Sequence, residues 1–146
     1  MAKDLPEFDL DGYLPYRLTV AAARQSAGLA REYKSRYGIS IPEWRVLVNL
    51  AYSDKISVRD LEKRVSLEKS KISRAASRLE SAGYISKTAD EDDRRLLELK
   101  LTDKGTELLS ELIPLAISYQ ARLEESLAEH LPALHAALDV LMAEPD

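Results

Sequence analysis

The sequence predicts a single, mainly α-helical domain with a small β-hairpin, in the chain order α-α-α-α-β-β-α-α. Apolar residues recur at helical spacing in six segments, which predicts six helices. Between Tyr84 and Leu101 the spacing changes to alternation around an acidic turn, which predicts two short strands. The chain has 146 residues, a length that suits one domain over residues 1–146.

Proline and glycine delimit the first two helices. Residues 14–37 are predicted as the first helix, because Pro15 suits a first turn and Gly38 suits the position after a last turn. The second helix is predicted in IPEWRVLVNLAYS, where Pro42 again stands at the start.

Two helices separated by a brief turn follow. SVRDLEKRV predicts a short third helix, in which Ser57 and Asp60 are spaced like a capping box. SLEKSKISRAASRLESAG predicts the fourth helix, with Ser66 as its N-cap and Gly83 after its last turn. A short helix, a turn and a second helix in this order predict a helix-turn-helix.

The strands and the last two helices complete the chain. YISKTAD and RRLLELKL predict the two strands of the hairpin. Thr102 is a favourable N-cap for a fifth helix that continues to about Leu127, with a kink expected at Pro114. Pro132 suits the first turn of a sixth helix that ends near Met142.

The charge of the chain is unevenly distributed. The net charge is −4, yet residues 55–104 contain thirteen lysines and arginines against ten acids. A basic middle region between acidic flanks is compatible with a polyanionic partner, although many enzymes show the same asymmetry.

Several kinds of chemistry are excluded by composition. The chain has no cysteine, which excludes disulfides, thiolate catalysis and cysteine zinc sites. His130 and His135 do not share a helix face, and no glycine-rich phosphate loop or acidic metal loop occurs. We therefore expect no enzyme, metal or cofactor. No apolar run approaches the roughly 18 residues of a membrane span, and the N-terminal residues do not resemble a signal peptide, so a cytoplasmic location is expected.

The fourth predicted helix separates an apolar face from a face of cations and hydroxyls. Such side chains can reach DNA phosphates and base edges, which predicts a recognition helix. The alternative is an ordinary solvated face. The candidate DNA-binding residues are Lys69, Ser70, Lys71, Ser73, Arg74, Ser77 and Arg78.

Residues 61–105 resemble the DNA-binding core of MarR-type transcription regulators. The resemblance rests on RLESAGYI at the end of the fourth helix and on a wing pattern of Asp-x-Arg, three residues, Leu-x-Leu-Thr, two residues and Gly. The chain matches that pattern at Asp93, Arg95, Leu99, Leu101, Thr102 and Gly105.

The resemblance implies a homodimer with one winged helix-turn-helix in each subunit. Residues 41–105 would form the DNA-binding lobe, and residues 8–37 and 106–142 would form the dimerisation region. LLSELIPLAI is nearly all apolar, which also suits a helix covered on all sides. The alternative is an ordinary bundle within one chain.

The wing supplies three further candidates for DNA contact, Asp93, Arg94 and Arg95. We expect Asp93 to orient the guanidinium of Arg95 for insertion into an A·T-rich minor groove, and Arg94 to reach a phosphate. The alternative is a plain surface ion pair between Asp93 and Arg95, which contributes nothing to DNA binding.

A ligand site is expected near the first helix. Tyr16, Arg17 and Trp44 are the candidates, since arginine offers a carboxylate two parallel hydrogen bonds. The resemblance implies a small aromatic or other anionic effector between the dimerisation region and the DNA lobe. The alternative assigns the aromatic residues to the core and the dimer interface.

The sequence thus predicts a homodimeric regulator that binds a pseudo-palindromic operator in double-stranded DNA, and most simply a ligand-responsive repressor. Repression or activation depends on where the operator lies, which this sequence does not encode. The competing prediction is a winged helix that contacts proteins and does not bind DNA.

Overall fold

The fold is established by a computed structural model that describes residues 4–53, 56–65, 67–89, 92 and 97–145. All six predicted helices are present. The elements in chain order are α1 (Leu14–Tyr37), α2 (Ile41–Ala51), β1 (Ile56–Ser57), α3 (Val58–Val65), α4 (Lys69–Ser81), β2 (Ile85–Ala89), β3 (Leu97–Leu101), α5 (Asp103–Leu127), a 3₁₀ turn (Ala128–His130) and α6 (Leu131–Met142).

The predicted two-stranded hairpin is part of a three-stranded antiparallel sheet. The strand order is β1-β3-β2, with Ile56 opposite Leu99 and Ile85 opposite Leu101. The predicted element order was therefore incomplete, because β1 precedes α3. Two residues are too few to show strand alternation, so only the tertiary pairing with β3 defines this strand.

Helix ends follow local side-chain chemistry. The hydroxyl of Thr102 accepts a hydrogen bond from the backbone N–H of Gly105 at 3.1 Å, as predicted. Gly38 and Gly83 end α1 and α4 with φ of +67° and +85°, values that glycine adopts without strain. The predicted N-cap of α4 was wrong, because Glu68 occupies that position and Ser66 lies outside the described residues.

The buried core lies between α2, α3, α4, the sheet and the first half of α5. Leu47, Leu61, Ile72 and Leu99 are fully buried. Tyr33 joins this core from α1, and burial raises the pKa of its hydroxyl to about 12 despite the opposing charge of Arg45. The hydroxyl therefore stays protonated at neutral pH.

A polar seam holds α1 against α5. The hydroxyl of Tyr119 donates a hydrogen bond to Gln25 Oε1 at 2.8 Å, and Arg122 pairs with Glu32 at 3.1 Å. Gly28 lies under Tyr119, where a Cβ atom would collide with the hydroxyl oxygen. Glycine at this position therefore permits the close approach of the two helices.

The terminal helices leave much of their apolar surface uncovered within one chain. No residue of α6 is buried, although the helix is rich in leucine and alanine. Large exposed apolar side chains on α1, α5 and α6 are Leu14, Leu18, Ile117, Leu134, Val140, Leu141 and Met142. None of the described helices is both long and apolar enough to cross a membrane.

Candidate nucleic-acid interface

The α3–turn–α4 unit fixes one face of α4 and exposes the other. Ile72, Ala75, Ala76 and Leu79 are buried against the core, and the small alanines allow α4 to approach its neighbours closely. All seven polar residues predicted for the recognition helix are exposed. The apolar face thus determines which side chains α4 presents to solvent.

The centre of the exposed face carries Ser70, Arg74 and Ser77. At about 100° per residue these three positions lie opposite the buried face, so they point directly away from the core. Arg74 makes no hydrogen bond or ion pair with any residue that the structure describes. Its guanidinium is available to an external acceptor.

One edge of α4 borders a groove toward the sheet and α3. Lys69 and Ser73 at this edge, together with the neighbouring Ser77 of the central group, line this groove, which has a volume of about 310 Å³. Arg59 of α3 and Lys87 of β2 line it from the opposite side, and both were missed in the sequence. The three cations make this groove a suitable position for a phosphate of the DNA backbone.

Lys87 also connects the sheet to α4. Its Nζ donates a hydrogen bond to Ser77 Oγ at 3.4 Å and lies 3.8 Å from Glu80 Oε1. The two elements are joined through side chains ten and seven residues apart in sequence, so no local motif signals the contact. Lys87 helps to hold the C-terminal half of α4 against β2.

The other edge of α4 faces α1 and α2. Lys71 lines a cleft beside Arg45, and Arg78 forms an ion pair with Glu43, with 3.5 Å between Nε and Oε1. Both residues lie at the margin of the exposed face. The structure thus separates the centre of α4 from its two edges.

The wing residues Asp93, Arg94 and Arg95 lie outside the described residues. The strands on either side of them, β2 and β3, pair in register from Ile85 opposite Leu101 to Ala89 opposite Leu97.

The three predicted ligand residues do not form one site within a single chain. Trp44 stacks on Tyr33, with ring centroids 5.6 Å apart. Arg17 and Tyr16 lie near the opposite end of α1, about 24 Å from Tyr33 at a rise of 1.5 Å per residue. Within one subunit the three candidates are therefore not adjacent, since proximity in sequence is lost along a straight helix, and an effector site at these residues stays a prediction.

A different cleft lies between α1, the start of α2 and the turn before α4. Its volume is about 680 Å³. Arg45 and Lys71 contribute positive charge, and Arg45 Nη2 donates a hydrogen bond to Ser26 Oγ at 3.2 Å. Apolar walls with two cations suit a small anionic compound.

Known proteins are similar to part of this chain in sequence. A family model described as MarR family matches residues 37–96. The HTH-type transcriptional regulator YdgJ of Bacillus subtilis is 33% identical over 76 residues, which are 52% of this chain and 46% of that protein. The chain thus spans about half the length of this relative.

Solved structures match over a larger share of the chain. The MarR family transcriptional regulator SPO1453 of Silicibacter pomeroyi superposes with a TM-score of 0.76 at 28% identity, over 92% of this chain and 99% of that one. BpsR of Bordetella bronchiseptica gives a TM-score of 0.80 over 97% and 100% of the two chains, but at 19% identity it shows the fold alone.

A helix-turn-helix followed by an antiparallel sheet, with an exposed basic face on the second helix, defines a winged helix-turn-helix protein. Residues 37–96 match the MarR family model, and the chain is similar in fold to solved MarR family transcriptional regulators.

Proposed function

We propose that this protein is a transcription regulator that binds double-stranded DNA in a sequence-specific manner. The observation that carries the proposal is the exposed face of α4, where Arg74 and neighbouring hydroxyls point away from a firmly buried opposite face. An α-helix of this kind fits the major groove, and arginine distinguishes guanine by two hydrogen bonds to its edge.

We further propose that the regulator is a homodimer. Residues 8–37 and 106–142 are assigned to the interface, and residues 41–105 to the DNA-binding lobe. The uncovered apolar side chains of α5 and α6 support this division, because a second copy would remove them from water. Two lobes related by two-fold symmetry suit a pseudo-palindromic operator with half-sites about 34–36 Å apart.

The cleft beside Arg45 and Lys71 is assigned to a small aromatic or other anionic effector. For BpsR, 6-hydroxynicotinic acid regulates DNA binding. In this chain the assignment rests on the cleft itself, which is lined by Lys71 of α4. An anion that contacts Lys71 can favour one position of α4 and disfavour the position that fits DNA, as in a repressor released by its ligand.

Selection of duplexes from a randomised pool tests the DNA-binding function. We expect the wild-type protein to enrich a pseudo-palindromic sequence and to bind it far more tightly than mixed-sequence DNA, with affinity falling steeply as salt rises. Enrichment of no sequence, with no salt-dependent binding to any duplex, would favour the competing function of a winged helix that contacts proteins.

Lys69→Ala is expected to weaken binding to all duplexes to a similar extent. Lys69 lies at the start of α4 in the groove beside the sheet, where it can contact a phosphate but carries no sequence information. The slope of log affinity against log salt concentration should fall by about one per subunit. Lys34→Ala, which removes one charge from α1, is the matched control and should leave the slope unchanged. A loss confined to the selected sequence would contradict the phosphate contact.

Arg45→Ala is expected to impair release from DNA by an effector while leaving DNA binding alone. A charge-assisted hydrogen bond contributes roughly 1.5–3 kcal/mol, so about tenfold more ligand or greater should be needed for release. Small aromatic carboxylates are the probes, and fluorescence anisotropy of a bound duplex is the readout. Arg31→Ala, outside this cleft, is the control. Unchanged release of the Arg45 variant would exclude the cleft as the effector site.

A further inference from the structure

The side chain of Glu43 is held in one position by its own helix cap. Ser40 is the N-cap of α2, and its backbone N–H and hydroxyl both donate to Glu43 Oε1, at 3.3 and 2.7 Å. The backbone N–H of Glu43 donates in return to Ser40 Oγ at 3.3 Å, which completes a capping box. The side chain of Glu43 is only 12% exposed. It is therefore a fixed negative charge at the edge of the DNA-binding lobe.

Arg78 of α4 contacts this fixed carboxylate with one side of its guanidinium. The contact is made by Nε, 3.5 Å from Glu43 Oε1, and the arginine side chain remains 51% exposed. The two terminal nitrogens of Arg78 donate no hydrogen bond to the part of the chain that the structure describes. Their N–H groups are left for an acceptor outside the protein.

The position of Arg78 on α4 suggests which acceptor it meets. Arg78 lies one helical turn beyond Arg74, at the α2 edge of the exposed face. When a helix occupies the major groove, its centre faces base edges and its edges face the two phosphate backbones. An arginine at such an edge, with its terminal nitrogens free, is placed to bind a phosphate with two hydrogen bonds.

We propose that Glu43 is a positioning residue for DNA binding, which holds the Nε side of Arg78 so that the terminal nitrogens face a backbone phosphate. This inference rests on the proposed DNA-binding function and adds a residue of α2 that does not itself touch DNA. A long arginine side chain loses rotamer freedom when it binds, and a partner that restricts it beforehand reduces that loss.

The proposal and simple charge repulsion predict opposite changes in DNA affinity when Glu43 loses its charge. Glu43→Gln removes a negative charge near DNA, so Coulomb attraction alone predicts tighter binding. The glutamine carbonyl can still accept hydrogen bonds from Ser40, and the helix cap is kept. If Glu43 positions Arg78, affinity for a selected duplex of about 30 base pairs, long enough for two half-sites, should instead fall roughly three- to tenfold.

A double-mutant cycle separates positioning from a general structural effect. In the Arg78→Ala background, Glu43→Gln should change affinity by less than about twofold, because the arginine that it positions is absent. Ser40→Ala, which releases the carboxylate without removing its charge, should weaken binding in an Arg78-dependent manner as well. Glu7→Gln, which removes an exposed carboxylate that precedes α1, is the charge control and should leave affinity unchanged.

The outcomes distinguish this inference from the proposed function. Binding is measured by anisotropy at a temperature where circular dichroism shows every variant to be folded. Tighter binding by Glu43→Gln, unchanged binding, or an equal loss with and without Arg78 would overturn the positioning role while the wild-type protein still binds its selected duplex. A wild-type protein that binds no duplex at any salt concentration would overturn the proposed function itself.

Discussion

Deletion of residues 128 to 146 is expected to abolish the dimer and to lower operator affinity on the order of 100-fold or more. The deletion removes α6, none of whose residues is buried within its own chain, so its apolar side chains are available to a partner. A monomer has lost the second recognition helix, and with it the gain from simultaneous binding to both half-sites. Light scattering after size-exclusion chromatography measures the assembly, and anisotropy measures the binding.

The winged helix-turn-helix should retain its secondary structure in the truncated protein, although the exposed α5 surface favours aggregation. The core residues contributed by α5 are Leu108, Leu109 and Leu112, all of which precede the deletion. Ile117→Asp is a milder test of the dimer, because it changes one side chain that is 64% exposed on α5. Its matched control is Tyr52→Asp on the DNA lobe, where the side chain is 73% exposed. A folded truncated monomer with unchanged operator affinity would contradict the dimer.

Most helix boundaries were predictable because they depend on local chemistry. Pro15 and Gly38 delimit α1, and Thr102 begins α5, through interactions that span four residues or fewer. The buried face of α4 was also visible as a periodic apolar pattern. Such features require no knowledge of what packs against the helix.

Features that depend on distant contacts were not predictable in the same way. Strand β1 exists because Ile56 pairs with Leu99, 43 positions later in the chain. The pairing of Arg78 with Glu43 joins residues on different helices, and no spacing rule connects them. Trp44 was grouped with Arg17 by proximity in sequence, whereas packing places it on Tyr33.

In the candidate site, too, features set by local sequence were predictable and features set by distant contacts were not. The exposed polar residues of α4 were found from one helical wheel, because a buried face implies an opposite exposed face. Lys87 and Arg59 were missed because they reach the α4 groove from other elements. The cleft beside Arg45 is formed by three separate segments, so it exists only in the folded chain.

Arg74→Ala is expected to weaken binding to the selected operator by roughly 1–3 kcal/mol and to relax its sequence preference. Arg74 lies at the centre of the exposed face of α4 and has no partner among the described residues, so its guanidinium can reach a base edge. Removal of such a contact leaves a guanine without its two hydrogen bonds. Repeated selection with the variant should show a loss of preference at one position in each half-site.

Comparison of the affinity that Arg74→Ala loses on different DNA sequences identifies whether Arg74 contacts a base or a phosphate. A base contact predicts that Arg74→Ala loses much more affinity on the selected operator than on mixed-sequence DNA. A phosphate contact predicts equal losses, as for Lys69→Ala. Arg24→Ala, an exposed arginine of α1, removes the same charge far from α4 and serves as the control. Equal losses on both kinds of DNA would assign Arg74 to the backbone, and sequence reading would then have to come from Ser70, Ser77 or the wing.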